Sequence, residues 1–145
     1  MGTILTDDLR AFLDACRVGV LATLSPEGSP RQSLVYFARE GERLLLSTLA
    51  DRLKAKDIRR TGRASLCVMG HSPPYPSATF SGSAEILTEG IGTATAAIAQ
   101  RITGASEPPE PMSDAVLAQA GRVIVAITVE LVTAASYIPE VDAGA

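Results

Sequence analysis

Five of the thirteen cationic side chains in this 145-residue chain, Arg52, Lys54, Lys56, Arg59 and Arg60, fall within residues 51–60, and Arg63 follows closely. Such a cluster can do one kind of chemistry well: it can hold an anion. Asp51 has the side chain of a helix N-cap, which places Arg52, Leu53 and Lys54 in a first helical turn. Cations there oppose the helix dipole, whose positive end already faces them. A local conflict of this kind tends to mark a functional site. A phosphate at the helix start resolves it, because backbone N–H groups, the dipole, Arg52 and Lys54 would converge on one anion. Ser47 and Thr48, just upstream, carry hydroxyls that would complete the cradle. Arg52, Lys56, Arg59 and Arg63 lie close to one angular face, and for Lys56 and Arg59 a solvated basic surface is the simpler reading.

Other chemistry-bearing residues point to little. His71 is the only histidine, so the sequence contains neither a multi-histidine metal site nor a histidine pair for acid–base work. Its setting, Gly70-His71-Ser72-Pro73-Pro74-Tyr75-Pro76, is a rigid loop, and an exposed or interface role is expected. No Ser/Cys–His–Asp arrangement can be argued from it. Cys16 and Cys67 lack metal-type spacing, and both are expected to be buried and structural. Gly90-Ile91-Gly92-Thr93-Ala94-Thr95 has the start of a dinucleotide fingerprint, but Thr95 stands where the third small residue belongs, so a helix start is expected. With no protein nucleophile in view, the chemistry fits a bound cofactor.

The elements that must position the cations follow from the pattern. Thr6-Asp7-Asp8 caps an amphipathic helix carrying Leu9, Phe12, Leu13 and Cys16. Val18 to Leu24 and Pro30 to Phe37 read as a hairpin around Ser25-Pro26-Glu27-Gly28. Glu40-Gly41-Glu42 turns into a strand over 43–48, and the cationic helix leads to a strand over 64–69. Strands over 78–87 and 123–135 enclose two helices, about 92–102 and 113–120. Six strands without regular βαβ alternation predict a mainly β, α+β fold, an antiparallel barrel in one domain spanning 1–145 with a helical insertion at about 90–120.

Composition narrows the partners. The 16 acidic residues outnumber the 13 basic ones, giving a net charge of −3, and Trp is absent. Neither overall charge nor a stacking platform favours nucleic acid. Apolar runs fall well short of the roughly 18 residues of a membrane span. The segment from Met1 to Asp8 has no basic-then-apolar order, so a cytoplasmic protein is expected.

The ordered set "VGVLATLSPEGSPRQSLVYF", "LLLSTLADRLKAKDIRRTGRASLCV", a proline-containing loop and "ATFSGSAEIL" resembles the pyridoxamine-phosphate-oxidase-like split β-barrel superfamily, and within it the small actinobacterial flavin- and deazaflavin-dependent oxidoreductases. The resemblance implies a six-stranded FMN-binding-type split barrel and a homodimer sharing two cofactor sites across its interface. It implies that Arg52 and Lys54, with Leu53 between them and Ser47 and Thr48 beside them, hold the phosphate of coenzyme F-420 (a deazaflavin) or FMN. Gln32, Ser33 and Val35 would run along the ring, and Pro74 and Tyr75 would approach the partner's cofactor. Asp57 stands where relatives commonly have Asn, either tuning affinity or pairing with Arg60 or Arg59. The cations of Lys56 and Arg59 could meet the longer anionic tail of F-420. The implied activity is hydride transfer to or from a small organic substrate; the other reading is a non-catalytic flavin or haem carrier on the same barrel. Pyridoxamine-phosphate oxidase activity itself is not expected, since the Trp-containing substrate segment of that enzyme has no counterpart.

Overall fold

The computed structural model describes residues 4–139. Residues 1–3 and 140–145 of the expected domain lie outside them. The first helix, α1 (Asp7–Ala15), begins as expected: the Thr6 hydroxyl accepts from the Leu9 N–H at 3.2 Å, with Asp7 and Asp8 in the first turn. β1 (Val18–Leu24) and β2 (Pro30–Tyr36) form the hairpin, closed by Gly28 at φ +83 donating to the Ser25 carbonyl.

The sheet has seven strands rather than six. After β2 the chain passes through Phe37 into a short β3 (Ala38–Glu40), then turns at Gly41 into β4 (Arg43–Leu49). The strand order is β2-β1-β5-β6-β7-β4-β3, with β5 at Arg63–Met69, β6 at Ser77–Leu87 and β7 at Arg122–Ser136. Every neighbouring pair is antiparallel. β2 and β3, at opposite ends of that order, are one extended segment that exchanges its partner at Phe37, whose side chain is fully buried. That exchange curls the sheet into a split barrel and explains the added strand. The sequence pattern read through to Phe37 because an extended chain looks the same whichever neighbour it pairs with.

Side chains alternate across each strand. Inward positions, among them Leu21, Phe37, Leu44, Leu46, Leu66, Phe80, Val125 and Ile127, form the barrel interior. α1 adds Leu9 and Leu13 to it, and α2 (Leu53–Thr61) adds Ile58. β6 and β7 pack closest at a bulge, where a Cβ on Gly82 would lie 1.8 Å from the Thr128 carbonyl oxygen.

A second cluster, including Ala38, Leu45, Ile91, Ile98, Leu117 and Ile124, lies on the outer face of β3, β4 and β7. It buries α3 (Gly92–Thr103) and α4 (Asp114–Gln119), the two expected helices of the insertion. The Gly90–Thr95 stretch is a helix start, and the Asp114 carboxylate accepts from the N–H groups of Gly90 and Ile91 just before it. Arg101 near the end of α3 donates to carbonyls of Leu13, Asp14 and Cys16 and fastens α3 to the end of α1. Cys16 is buried as expected, and burial pushes its thiol pKa up. Cys67 is not buried; it faces outward from β5, because alternation places it opposite Leu66 and Val68. Among the described residues no helix is long and apolar enough to cross a membrane.

Candidate functional site

The start of α2 differs from the expected one. Asp51 is not the cap; Arg52 occupies the N-cap position with no side-chain hydrogen bond, and Leu53 opens the helix. The reason is tertiary. The Ala50 N–H donates to the Gly121 carbonyl at 2.9 Å and the Arg52 N–H to the Leu49 carbonyl at 3.1 Å, so a turn consumes Ala50 and Asp51 before helical geometry begins. The first-turn N–H groups thus have no side-chain cap and no acidic neighbour in that turn. Free N–H groups at a helix start are the kind of donor an anion can take.

Beside this helix start lies a cleft of about 350 Å³. Leu34, Val35 and Tyr36 of β2, Ser47 of β4, Lys54 of α2 and Arg122 of β7 line it. α3 supplies the opposite wall through Thr95, Ile98, Ala99 and Ile102. No carboxylate lines it. Partial burial first, and then the neighbouring Arg52 charge, pull the Lys54 pKa below its ordinary value. The ammonium therefore sits where a counter-ion is favoured and none is supplied.

Of the residues singled out in the sequence, Ser47, Lys54 and Val35 meet in this cleft. Thr48 does not join Ser47: consecutive strand residues face opposite ways, and Thr48 is buried toward the interior while Ser47 faces the cleft. Arg52 and Leu53 are exposed at the helix start and do not line the cleft. Gln32 is exposed and Ser33 half-buried further along β2, continuing the strand that carries the cleft residues Leu34 to Tyr36. Pro74 and Tyr75 are exposed in the 70–76 loop and do not line the cleft. Sequence reading missed Tyr36, Arg122 and the α3 wall. The apolar spacing of Ile98 and Ile102 signalled a helix face, but nothing in the sequence said which strand it would oppose.

The remaining cations of the cluster have other work. Arg59 donates to the Ala50 carbonyl at 2.8 Å and braces the turn before α2. Arg63 pairs with Glu130 at 2.9 Å. Asp57 is buried and faces away from the cleft: it accepts from the Thr23 hydroxyl at 2.9 Å and from Arg60 at 3.2 Å, with Arg31 at 3.6 Å. Its partners are therefore Arg60 and Arg31, not Arg59, and it ties α2 to the β1–β2 hairpin.

The family model described as pyridoxamine 5'-phosphate oxidase matches residues 5–135. A conserved hypothetical protein from Mycobacterium tuberculosis is 25% identical with a TM-score of 0.71, covering 90% of this chain and 84% of that one. An F-420 reductase is 26% identical with a TM-score of 0.69, covering 86% of this chain and 94% of its own. A haem-binding protein from Mycobacterium smegmatis, 20% identical with a TM-score of 0.64, shares the fold, and the match covers 91% of this chain and 54% of that one. None of the curated proteins compared with the sequence matches it.

Proposed function

This chain belongs to the pyridoxamine 5'-phosphate oxidase family, and on that premise we propose that it is an oxidoreductase that binds coenzyme F-420 or FMN and serves hydride transfer to or from a small organic molecule. The observation that carries the reading is the cleft beside α2: an uncapped helix start, the Lys54 ammonium, the Ser47 hydroxyl and Arg122, with no carboxylate among its lining residues. This donor set suits a phosphate ester, and the apolar wall of Ile98, Ala99 and Ile102 suits the less polar part of the same ligand. Likeness to an F-420 reductase across most of both chains supports the deazaflavin side of the choice.

When bound, the flavin-type ring supplies the two-electron chemistry, and the protein's residues bind and orient. Lys54 and Ser47 hold the phosphate, with Arg52 adding charge from the helix start. Leu34 and Tyr36 extend the cleft along β2 toward an outer sheet face that no helix covers among the described residues. That face is where a second copy would meet the first, and Pro74 and Tyr75 of the partner copy would close over the ring. The assembly is thus a homodimer in this proposal.

The test is titration of the purified protein with F-420 and with FMN, in wild type, Lys54→Ala and Arg52→Ala. Lys54→Ala should weaken binding by about 1.5–3 kcal/mol, or roughly 10- to 150-fold, with the fold intact. Arg52→Ala should cost less, since Arg52 flanks the cleft without lining it. Unchanged affinity in both variants for every cofactor that binds would overturn the assignment. A Soret band in the purified protein, with no affinity for either cofactor, would make it a haem carrier instead.

A further inference from the structure

The α3 wall of the cleft is held at both ends and along its back. At its start the Asp114 carboxylate accepts from the N–H groups of Gly90 and Ile91, at 2.8 and 3.2 Å. Along its back the chain at Met112 lies so close that a Cβ on Gly92 would meet the Met112 carbonyl oxygen at 2.3 Å. At its end, Nη2 of Arg101 is within hydrogen-bond reach of the carbonyls of Leu13 at 3.3 Å, Asp14 at 2.7 Å and Cys16. These carbonyls close α1, where a cation is favoured by the helix dipole. The Nε of Arg101 is buried and bonds no atom among the described residues, a cost that a chance surface contact would not carry.

What Arg101 joins are the two walls of the cleft. On its own helix, Ile102 follows it directly, and Ala99 and Ile98 lie within the turn before it; all three line the cleft. Ile98 is also buried in the cluster beneath α3, so this wall rides on β3, β4 and β7. The opposite wall, Leu34 to Tyr36, belongs to β2, which pairs with β1 alone. The chain that Arg101 grips leads straight into β1. Val18 pairs with Tyr36, and the Arg17 carbonyl accepts from the Phe37 N–H at 3.1 Å. We propose that Arg101 is a positioning residue for the cleft, the tie that fixes the gap between the α3 wall and the β2 wall at the width of a flat cofactor ring. This rests on the cofactor reading above and deepens it. Lys54 and Ser47 hold the phosphate, and Arg101 sets the fit of the ring without touching it.

The experiment measures dissociation constants for FMN, F-420 and inorganic phosphate in wild type, Arg101→Ala, Arg101→Lys and Ala99→Leu, with a melting curve for each. Arg101→Ala should weaken whichever of FMN and F-420 binds wild type about tenfold, because the ligand must then order the wall as it binds. Inorganic phosphate needs only Lys54, Ser47 and the start of α2, and its affinity should change less than about twofold. Arg101→Lys keeps a charge and three donors for the same carbonyls and should restore part of the ring affinity. Ala99→Leu narrows the gap with the tie intact, and its loss should also be confined to the ring-bearing probes. If Arg101→Ala does not fold, Arg101→Lys and Ala99→Leu carry the same comparison: a loss selective for the ring supports the inference, and an unselective or absent one overturns it. Equal losses for phosphate and the ring-bearing probes, or unchanged ring affinity in Arg101→Ala, would leave Arg101 a fastening of the fold alone and overturn the inference. Wild type that binds neither FMN nor F-420 overturns the cofactor reading, and this inference with it.

Discussion

A half-buried ammonium without a counter-ion behaves differently from a surface lysine, and Lys54 should reveal itself through pH. Burial and Arg52 hold its pKa below the ordinary 10.5. A bound phosphate would favour the charged form and raise that pKa again. Cofactor affinity should therefore fall as pH rises through the lowered pKa of Lys54, starting earlier than for an unperturbed lysine. The sign for stability of the unliganded protein is the opposite. Between the lowered native value and 10.5 the unfolded chain binds more protons, so the lysine's contribution to stability rises with pH in that window. Titrations across the alkaline range in wild type and Lys54→Arg check this, because arginine stays charged throughout and the fall in affinity should disappear. An identical pH profile in the two proteins would remove Lys54 from the anion site. The pair Arg52 and Lys54 was legible in the sequence as charge at the wrong end of a helix. The sequence did not reveal their division of labour, because the cap position depends on a hydrogen bond from Ala50 to Gly121.

At the scale of the element, α2 presents the site only if it is held in place, and Asp57 is the tie. Its carboxylate joins the helix to Thr23 of β1 and to Arg31 of β2, with Arg60 from its own helix. Asp57→Ala leaves both guanidiniums without their carboxylate. Removing one member of a wholly buried pair costs roughly 3–5 kcal/mol. The side chains of Arg31 and Arg60 are 29% and 38% exposed and can recruit water. The expected loss is therefore about 1.5–3 kcal/mol, read from urea denaturation. Asp57→Asn keeps an acceptor for Thr23 and should lose less. A loss below about 0.5 kcal/mol for Asp57→Ala, the range of an ordinary surface change, would show that the carboxylate is no tie. From the sequence Asp57 could be placed beside Arg60 by helical spacing. Thr23 and Arg31 could not, since they belong to a hairpin whose approach to α2 is a matter of barrel closure.

At the scale of the whole molecule, the outer face of β2, β1, β5 and β6 carries no helix among the described residues. α3 and α4 cover the other outer face, but here Leu34 is 75% exposed and Met69 57%, beside Val20, Ala22 and Cys67. The apolar patch of Leu34, Val20, Ala22, Cys67 and Met69, bordered by Gln32, Ser65, Thr79 and Ser81, is the surface that the proposed dimer would cover. An isologous dimer is the common closed solution and repeats every contact twice. Light scattering at micromolar concentration should report a dimer. Leu34→Asp, which introduces two charges into such an interface, should give a folded monomer with weakened cofactor binding. Wild-type monomer with cofactor bound would remove the shared-site arrangement.

By itself the sequence determined what is decided within a few residues. The Thr6 cap of α1, the Ser25–Gly28 turn, the helices of the insertion and a cation-rich helix between two strands all follow from local backbone preference and side-chain chemistry. Its ordered motifs also carried the family and the split barrel. Only the tertiary structure decided which cations converge and which are spent. Arg122 meets Lys54 because β7 pairs with β4, α3 forms the cleft wall because its apolar face is buried on that same pair of strands, and Arg59 is withdrawn to brace a turn. Phe37 marks the same divide. The residues around it are extended in either reading, and whether they continue one strand or exchange neighbours to close a barrel depends on hydrogen-bond partners that lie far away along the chain.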